Sequence, residues 1–179
     1  MNPQPIVDQI PALRRYARAL TGDAWAADDL VQDTLERACN KWRLWTAGSD
    51  LRAWLFTVMH NLFMNQLRQS SRMAADHMLD IDDLGHALEA PSANLGQALD
   101  LQRCLLRLPA DQREVLLLVT MEDLSYAAVA TITGVPIGTV MSRLSRARSR
   151  MQELMDAPAQ KTPSTQTTTN TPSTLRRLK

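Results

Sequence analysis

The sequence predicts an all-α protein made of two small helical domains joined by a flexible acidic linker. Three observations carry that expectation. Apolar residues recur at steps of three and four along most of the chain, without the sustained alternation of a half-buried strand. Only six glycines and eight aromatic residues (four Trp, two Tyr, two Phe) occur in 179 residues, a poor composition for a sheet protein. Between Met73 and Gln102 the composition shifts: that stretch has no lysine or arginine but holds Asp76, Asp80, Asp82, Asp83, Glu89 and Asp100. With 45% hydrophobic residues the chain can bury at least one core.

The first domain is expected over residues 6–72. Leu13, Tyr16, Ala17 and Leu20 mark an amphipathic helix that stops at Thr21-Gly22-Asp23, where Asp23 can cap the next helix. That helix runs to about Trp42, and Ala47-Gly48-Ser49-Asp50 breaks the pattern. Leu51, Trp54, Leu55, Val58 and Leu62 are the apolar face of a third helix. Residues 73–97 read as the acidic linker. Periodicity returns through Leu101, Leu105 and Leu108, and Pro109-Ala110-Asp111 restarts it, with Asp111 and Glu114 spaced like a capping box. A four-helix unit over 98–156 follows. The Thr/Pro-rich residues 157–179 cannot bury enough apolar surface to order themselves and read as a disordered tail. With no large apolar patch obvious between them, the two domains are expected to move independently.

Within the second unit, residues 126–150 have helix-turn-helix spacing. Ala130 is small where two crossing helices touch, Gly134 falls where the turn needs a positive φ, and Val140 falls where the second helix must bury an apolar group. The second helix splits by face: Val140, Leu144, Ala147 and Met151 form one stripe, and Arg143, Arg146 and Arg150 another. No acid offsets those arginines between Asp123 and Glu153, so a phosphate-facing surface is a better reading than a solvated face.

A second stripe lies on the third helix, where Asn61, Asn65, Arg68 and Arg72 are spaced by four, three and four. Asparagine is a poor helix former, so two on one polar face suggest amides placed for contact with base edges. Trp42, Trp45, Trp54, Phe56 and Phe63 cluster in the same window, where aromatic faces could stack on unpaired bases. Core packing is the competing reading for them, and Trp54, on the apolar stripe, fits it best.

Other classes are poorly supported. A Gly-rich phosphate loop, a His-Glu-x-x-His spacing and a convergent Ser, His and Asp set are all missing; His60, His77 and His86 are scattered. Cys39 and Cys104 are single and far apart, which suggests neither a disulfide framework nor a zinc site. No apolar run is long enough for a membrane span, and Met-Asn-Pro-Gln-Pro does not begin a signal peptide, so the expected location is the cytoplasm. A net charge of +1 does not itself announce nucleic acid; the placement of the charges does. A conventional helix-turn-helix regulator would explain the arginines but leave the amide stripe without a role.

Over most of residues 6–155 the chain resembles the extracytoplasmic-function (ECF) sigma factors of the sigma-70 family. Asp28-Asp29-Leu30-Val31-Gln32-Asp33-Thr34 is similar to the region 2 signature. Leu51-Arg52-Ala53-Trp54-Leu55-Phe56 with Asn61 and Asn65 is similar to the promoter-opening helix. Leu108-Pro109-Ala110-Asp111-Gln112-Arg113-Glu114-Val115 followed by Leu124-Ser125-Tyr126 is similar to region 4. The resemblance implies a transcription initiation factor with no enzymatic activity and no cofactor. It would bind the clamp and flap regions of core RNA polymerase, and duplex and single-stranded promoter DNA, under the restraint of an anti-sigma factor. It places Asp29, Gln32, Asp33, Glu36 and Arg37 at the polymerase. Trp45, Ser49, Asp50, Asn61, Asn65 and Arg68 would meet the minus-10 element, and Thr139, Ser142, Arg143, Arg146 and Arg150 the minus-35 element. Met141 stands where the family commonly has lysine, and Ala127-Ala128 where it has acids; one cation fewer should weaken DNA affinity and its salt dependence.

Overall fold

The computed structural model describes residues 4–42, 50–76 and 93–156. Every regular element in them is helical: α1 (Gln4–Val7), α2 (Ile10–Thr21), α3 (Ala24–Asn40), α4 (Leu51–Asp76), α5 (Ala93–Leu106), α6 (Ala110–Thr120), α7 (Tyr126–Thr133) and α8 (Ile137–Asp156). The helices reach into the stretch expected to be linker, since α4 runs on to Asp76 and α5 starts at Ala93. The rest of that stretch and the Thr/Pro-rich tail lie outside the described residues.

Local chemistry sets the helix ends. Pro11 opens α2, where its missing N–H costs nothing, and Gly22 closes it at φ 76°, donating its N–H to the Arg18 carbonyl. Asp23 caps α3 as expected, accepting the Ala26 N–H at 2.7 Å. Asp50 does the same for α4, accepting the Ala53 N–H at 3.1 Å. The expected capping box at α6 does not form: Pro109 is the N-cap, without a side-chain bond, and Glu114 is fully buried. Its carboxylate is engaged by His60 from α4, a partner that local spacing cannot reveal.

In the first unit α2 and α4 pack against α3, and the Tyr16 and Phe56 rings meet edge to face with centroids 5.1 Å apart. Leu13, Leu20, Leu30, Leu55 and Met59 complete that core. In the second unit α6, α7 and α8 enclose Val115, Leu118, Val129, Val140 and Leu144. The two cores are continuous. Here α2 touches α5 and α6, and α4 touches α7, so the expectation of independent domains is corrected. The seam is largely polar at its centre, and for that reason no apolar patch announced it.

Two glycines have left-handed backbones, and their replacement should differ in cost. At Gly134, φ 66°, a Cβ would meet open space, so Gly134→Ala is expected to lose only the conformational penalty, about 1 kcal/mol. At Gly22 a Cβ would also come within 2.5 Å of Leu106 on α5, so Gly22→Ala should cost more in urea denaturation. Equal costs would show that α5 does not press on this turn.

Candidate nucleic-acid and polymerase interfaces

The helix-turn-helix is built as its spacing implies. Ser125 caps α7 by accepting the Ala128 N–H at 3.2 Å. Gly134 ends the helix, with its own N–H and that of Val135 directed to the Ala130 carbonyl. Helices α7 and α8 then meet at 102°, and Val140, Leu144, Ala147 and Met151 are the buried residues of α8. Turned outward are Ser145, Arg146, Ser149 and Arg150. Arg146 is held along the helix, donating from Nε to the Ser142 carbonyl and from Nη2 to the Ser142 hydroxyl, both at 3.2 Å. Ser142 in turn donates to the Thr139 carbonyl at 3.0 Å. This chain presents the guanidinium in a restricted geometry, which lowers the entropy lost when it meets a phosphate or a base edge.

Arg143 is placed differently. Its side chain is 25% exposed and pairs with Asp111 of α6 at 3.0 Å, so it ties α8 to α6 as well as flanking the outer face. Ile137 and Met141, half exposed at the start of α8, add apolar surface that the charge pattern did not single out.

On α4 the polar stripe is exposed: Asn61, Asn65 and Arg68 share one face, with Arg68 Nη1 donating to Asn65 Oδ1 at 3.1 Å. The aromatic reading needs correction. Phe56 and Phe63 are core residues, because their positions put them on the opposite, buried face of α4, and they offer nothing to a base. Trp54 is half-buried and meets Trp42 edge to face at 6.5 Å. The Asp50 side chain is used as a helix cap. Trp45 and Ser49 lie outside the described residues.

Along α3, Ala27, Leu30, Val31, Thr34 and Ala38 face inward. Asp29, Gln32, Asp33, Glu36 and Arg37 all face solvent. Trp25, 83% exposed, lies one turn before Asp29 on the same side, and sequence reasoning passed over it. Its position outside the apolar stripe was the available signal.

Sequence reasoning also missed the seam between the units. The Glu122 side chain is 0% exposed; its carboxylate accepts from Arg15 Nη2 at 2.8 Å and from Arg52 Nη2, which also donates to the Glu122 carbonyl at 3.0 Å. His60 Nδ1 lies 2.5 Å from Glu114 Oε1. Beside them, Tyr16 is fully buried, and burial together with the Glu114 and Glu122 carboxylates holds its phenol well above the usual range. Burial lowers the pKa of the Arg113 guanidinium below its ordinary value.

A helical protein with an exposed acidic ridge, an amide-bearing helix and a helix-turn-helix belongs to the class that directs transcription. Comparison with known proteins narrows this. Residues 6–60 match the family described as the Sigma2 domain of PhyR, and residues 98–151 match Sigma-70, region 4. The chain is 38% identical over 156 residues to the ECF RNA polymerase sigma factor EcfG of Rhodopseudomonas palustris, covering 84% of this chain and 82% of that protein. It is 30% identical over 157 residues to the ECF sigma factor SigC of Mycobacterium tuberculosis, covering 78% and 81%. Among solved structures, the sigma factor RpoE of Bartonella quintana, in complex with the anti-sigma factor NepR, superposes with a TM-score of 0.74. That pair shares 40% identity over 86% of this chain and 96% of the other. CnrH, in complex with the cytosolic domain of CnrY, gives 0.64 at 25% identity, over 86% of each chain. The chain belongs to the ECF RNA polymerase sigma factors of the sigma-70 family: it directs RNA polymerase to promoters and is a non-enzymatic initiation factor. Among the described residues no single helix is long and apolar enough to cross a membrane.

Proposed function

We propose that the chain divides promoter recognition between its two units, residues 6–72 and 98–156, with 73–97 as the connection. The solvent-facing ridge of α3, Asp29, Gln32, Asp33, Glu36 and Arg37, docks on the clamp of core polymerase, while 98–156 reaches the flap. Mostly acidic and turned outward, the ridge suits a basic partner, and Trp25 supplies an apolar anchor at its end. The amide stripe of α4, Asn61 and Asn65 with Arg68, takes the separated non-template strand of the minus-10 element, and Trp45, Ser49 and Asp50 capture a flipped base. Melting then needs no nucleotide hydrolysis, because binding of the single strand offsets lost pairing and stacking. Thr139, Ser142, Arg143, Arg146 and Arg150 meet the minus-35 duplex. An anti-sigma factor restrains the protein, a reading supported by the RpoE complex with NepR.

The observation that carries this division is the placement of two polar stripes, on α4 and α8, on exposed faces opposite buried ones. Its test is transcription in vitro with purified core polymerase and a library of promoter fragments. New start sites sharing an upstream motif are the expected result; duplex binding without core binding would overturn it. In the same assay Arg146→Ala should weaken minus-35 duplex binding by about 3- to 10-fold and lower the slope of log affinity against log salt by about one. An unchanged slope would remove Arg146 from the phosphate contacts.

A further inference from the structure

We propose that Glu122 is a latch that holds the free protein closed, and that it must release before both promoter elements can be engaged. This rests on the division of labour above. Glu122 sits in the turn between α6 and α7, followed by Asp123 in the left-handed region at φ 53°. The turn is pinned by the Leu124 N–H donating to the Leu118 carbonyl at 3.1 Å. It delivers a carboxylate of zero exposure between two arginines of the other unit, Arg15 on α2 and Arg52 on α4. Around this centre His60 meets Glu114, Gln102 donates to the Ala19 carbonyl at 3.1 Å, and Leu106 presses on Gly22.

Such a seam is strong when shut and separable when opened. A buried carboxylate without partners is costly, and the two guanidinium groups compensate it only while the units are docked. The arginine side chains are 54% and 37% exposed, so on opening all three groups regain water and no charge is stranded. Opening also exposes apolar surface where the two cores meet, a cost that docking on polymerase offsets. Arg52 and His60 use one face of α4, and Asn61, Asn65 and Arg68 another, so closure leaves the minus-10 stripe uncovered. What closure denies is reach. A packed domain of this length is about 40 Å across. Elements about 25 base pairs apart are separated by about 85 Å of duplex. The closed form therefore cannot touch both, and docking on polymerase must break the Glu122 bonds.

The test uses the full chain with Glu122→Lys, which sets three cations against one another at the seam, and Glu122→Gln as a milder change, each checked for unchanged helicity by far-ultraviolet circular dichroism. Small-angle scattering of the free protein is expected to show a larger maximum dimension for Glu122→Lys, with Glu122→Gln between it and the wild type. Transcription with core polymerase at subsaturating protein should rise about 3- to 10-fold and converge with the wild type at saturation. An unchanged dimension in both variants overturns the latch, and so does opening without gain where the wild type transcribes. If scattering shows opening while no form of the protein directs transcription, the latch stands and the assignment of the DNA surfaces falls.

Discussion

Replacing Asn61 and Asn65 together by alanine is expected to lower the rate of promoter opening by about 30- to 160-fold, without changing affinity for core polymerase. Both side chains stand on the exposed face of α4 and carry no packing load, so the helix should be unaffected or slightly strengthened by alanine. Each amide hydrogen bond to an unpaired base contributes on the order of 1 to 1.5 kcal/mol, and two together set the range. Permanganate reactivity of minus-10 thymines would follow opening, and a competition assay would follow core binding. A premelted promoter should recover only part of the loss, since the amides also hold the strand once it is open. Equal loss of core affinity would place these residues at the polymerase rather than at DNA.

The largest effect on stability is expected from Phe56→Ala, at about 3 to 5 kcal/mol. Phe56 is 1% exposed, meets Tyr16 edge to face, and carries the Arg52 guanidinium 5.8 Å from its ring centre. Truncation would open a cavity where α2 and α4 meet and loosen the arginine that grips Glu122, so both the first core and the seam should weaken. The urea midpoint should fall sharply. A loss below 1 kcal/mol would mean that the aromatic pair is peripheral to the core.

How much of this was legible depends on the range over which each feature is determined. The α2–α3 break, the Asp23 cap, the turn at Gly134 and the buried stripe of α8 are written in residues within a few positions of one another, and spacing was enough to read them. The exposed stripe of α4 was equally local. Phe56 and Phe63 were ambiguous because an aromatic residue looks the same in sequence whether it serves a core or a base; only its direction, set by the packing of α2 and α3 on α4, decides. Arg143 looked like its neighbour Arg146 until Asp111, 32 positions earlier, came beside it.

By itself, then, the sequence determined the helices, the Asp23 cap, the helix-turn-helix register and the family, because these depend on short-range periodicity and motif order. The tertiary structure alone decided that the two units dock and that Glu114 and Glu122 are buried rather than solvated. Their partners lie 54, 107 and 70 residues away, and no local pattern distinguishes a buried acid compensated from afar from an acid on a wet surface.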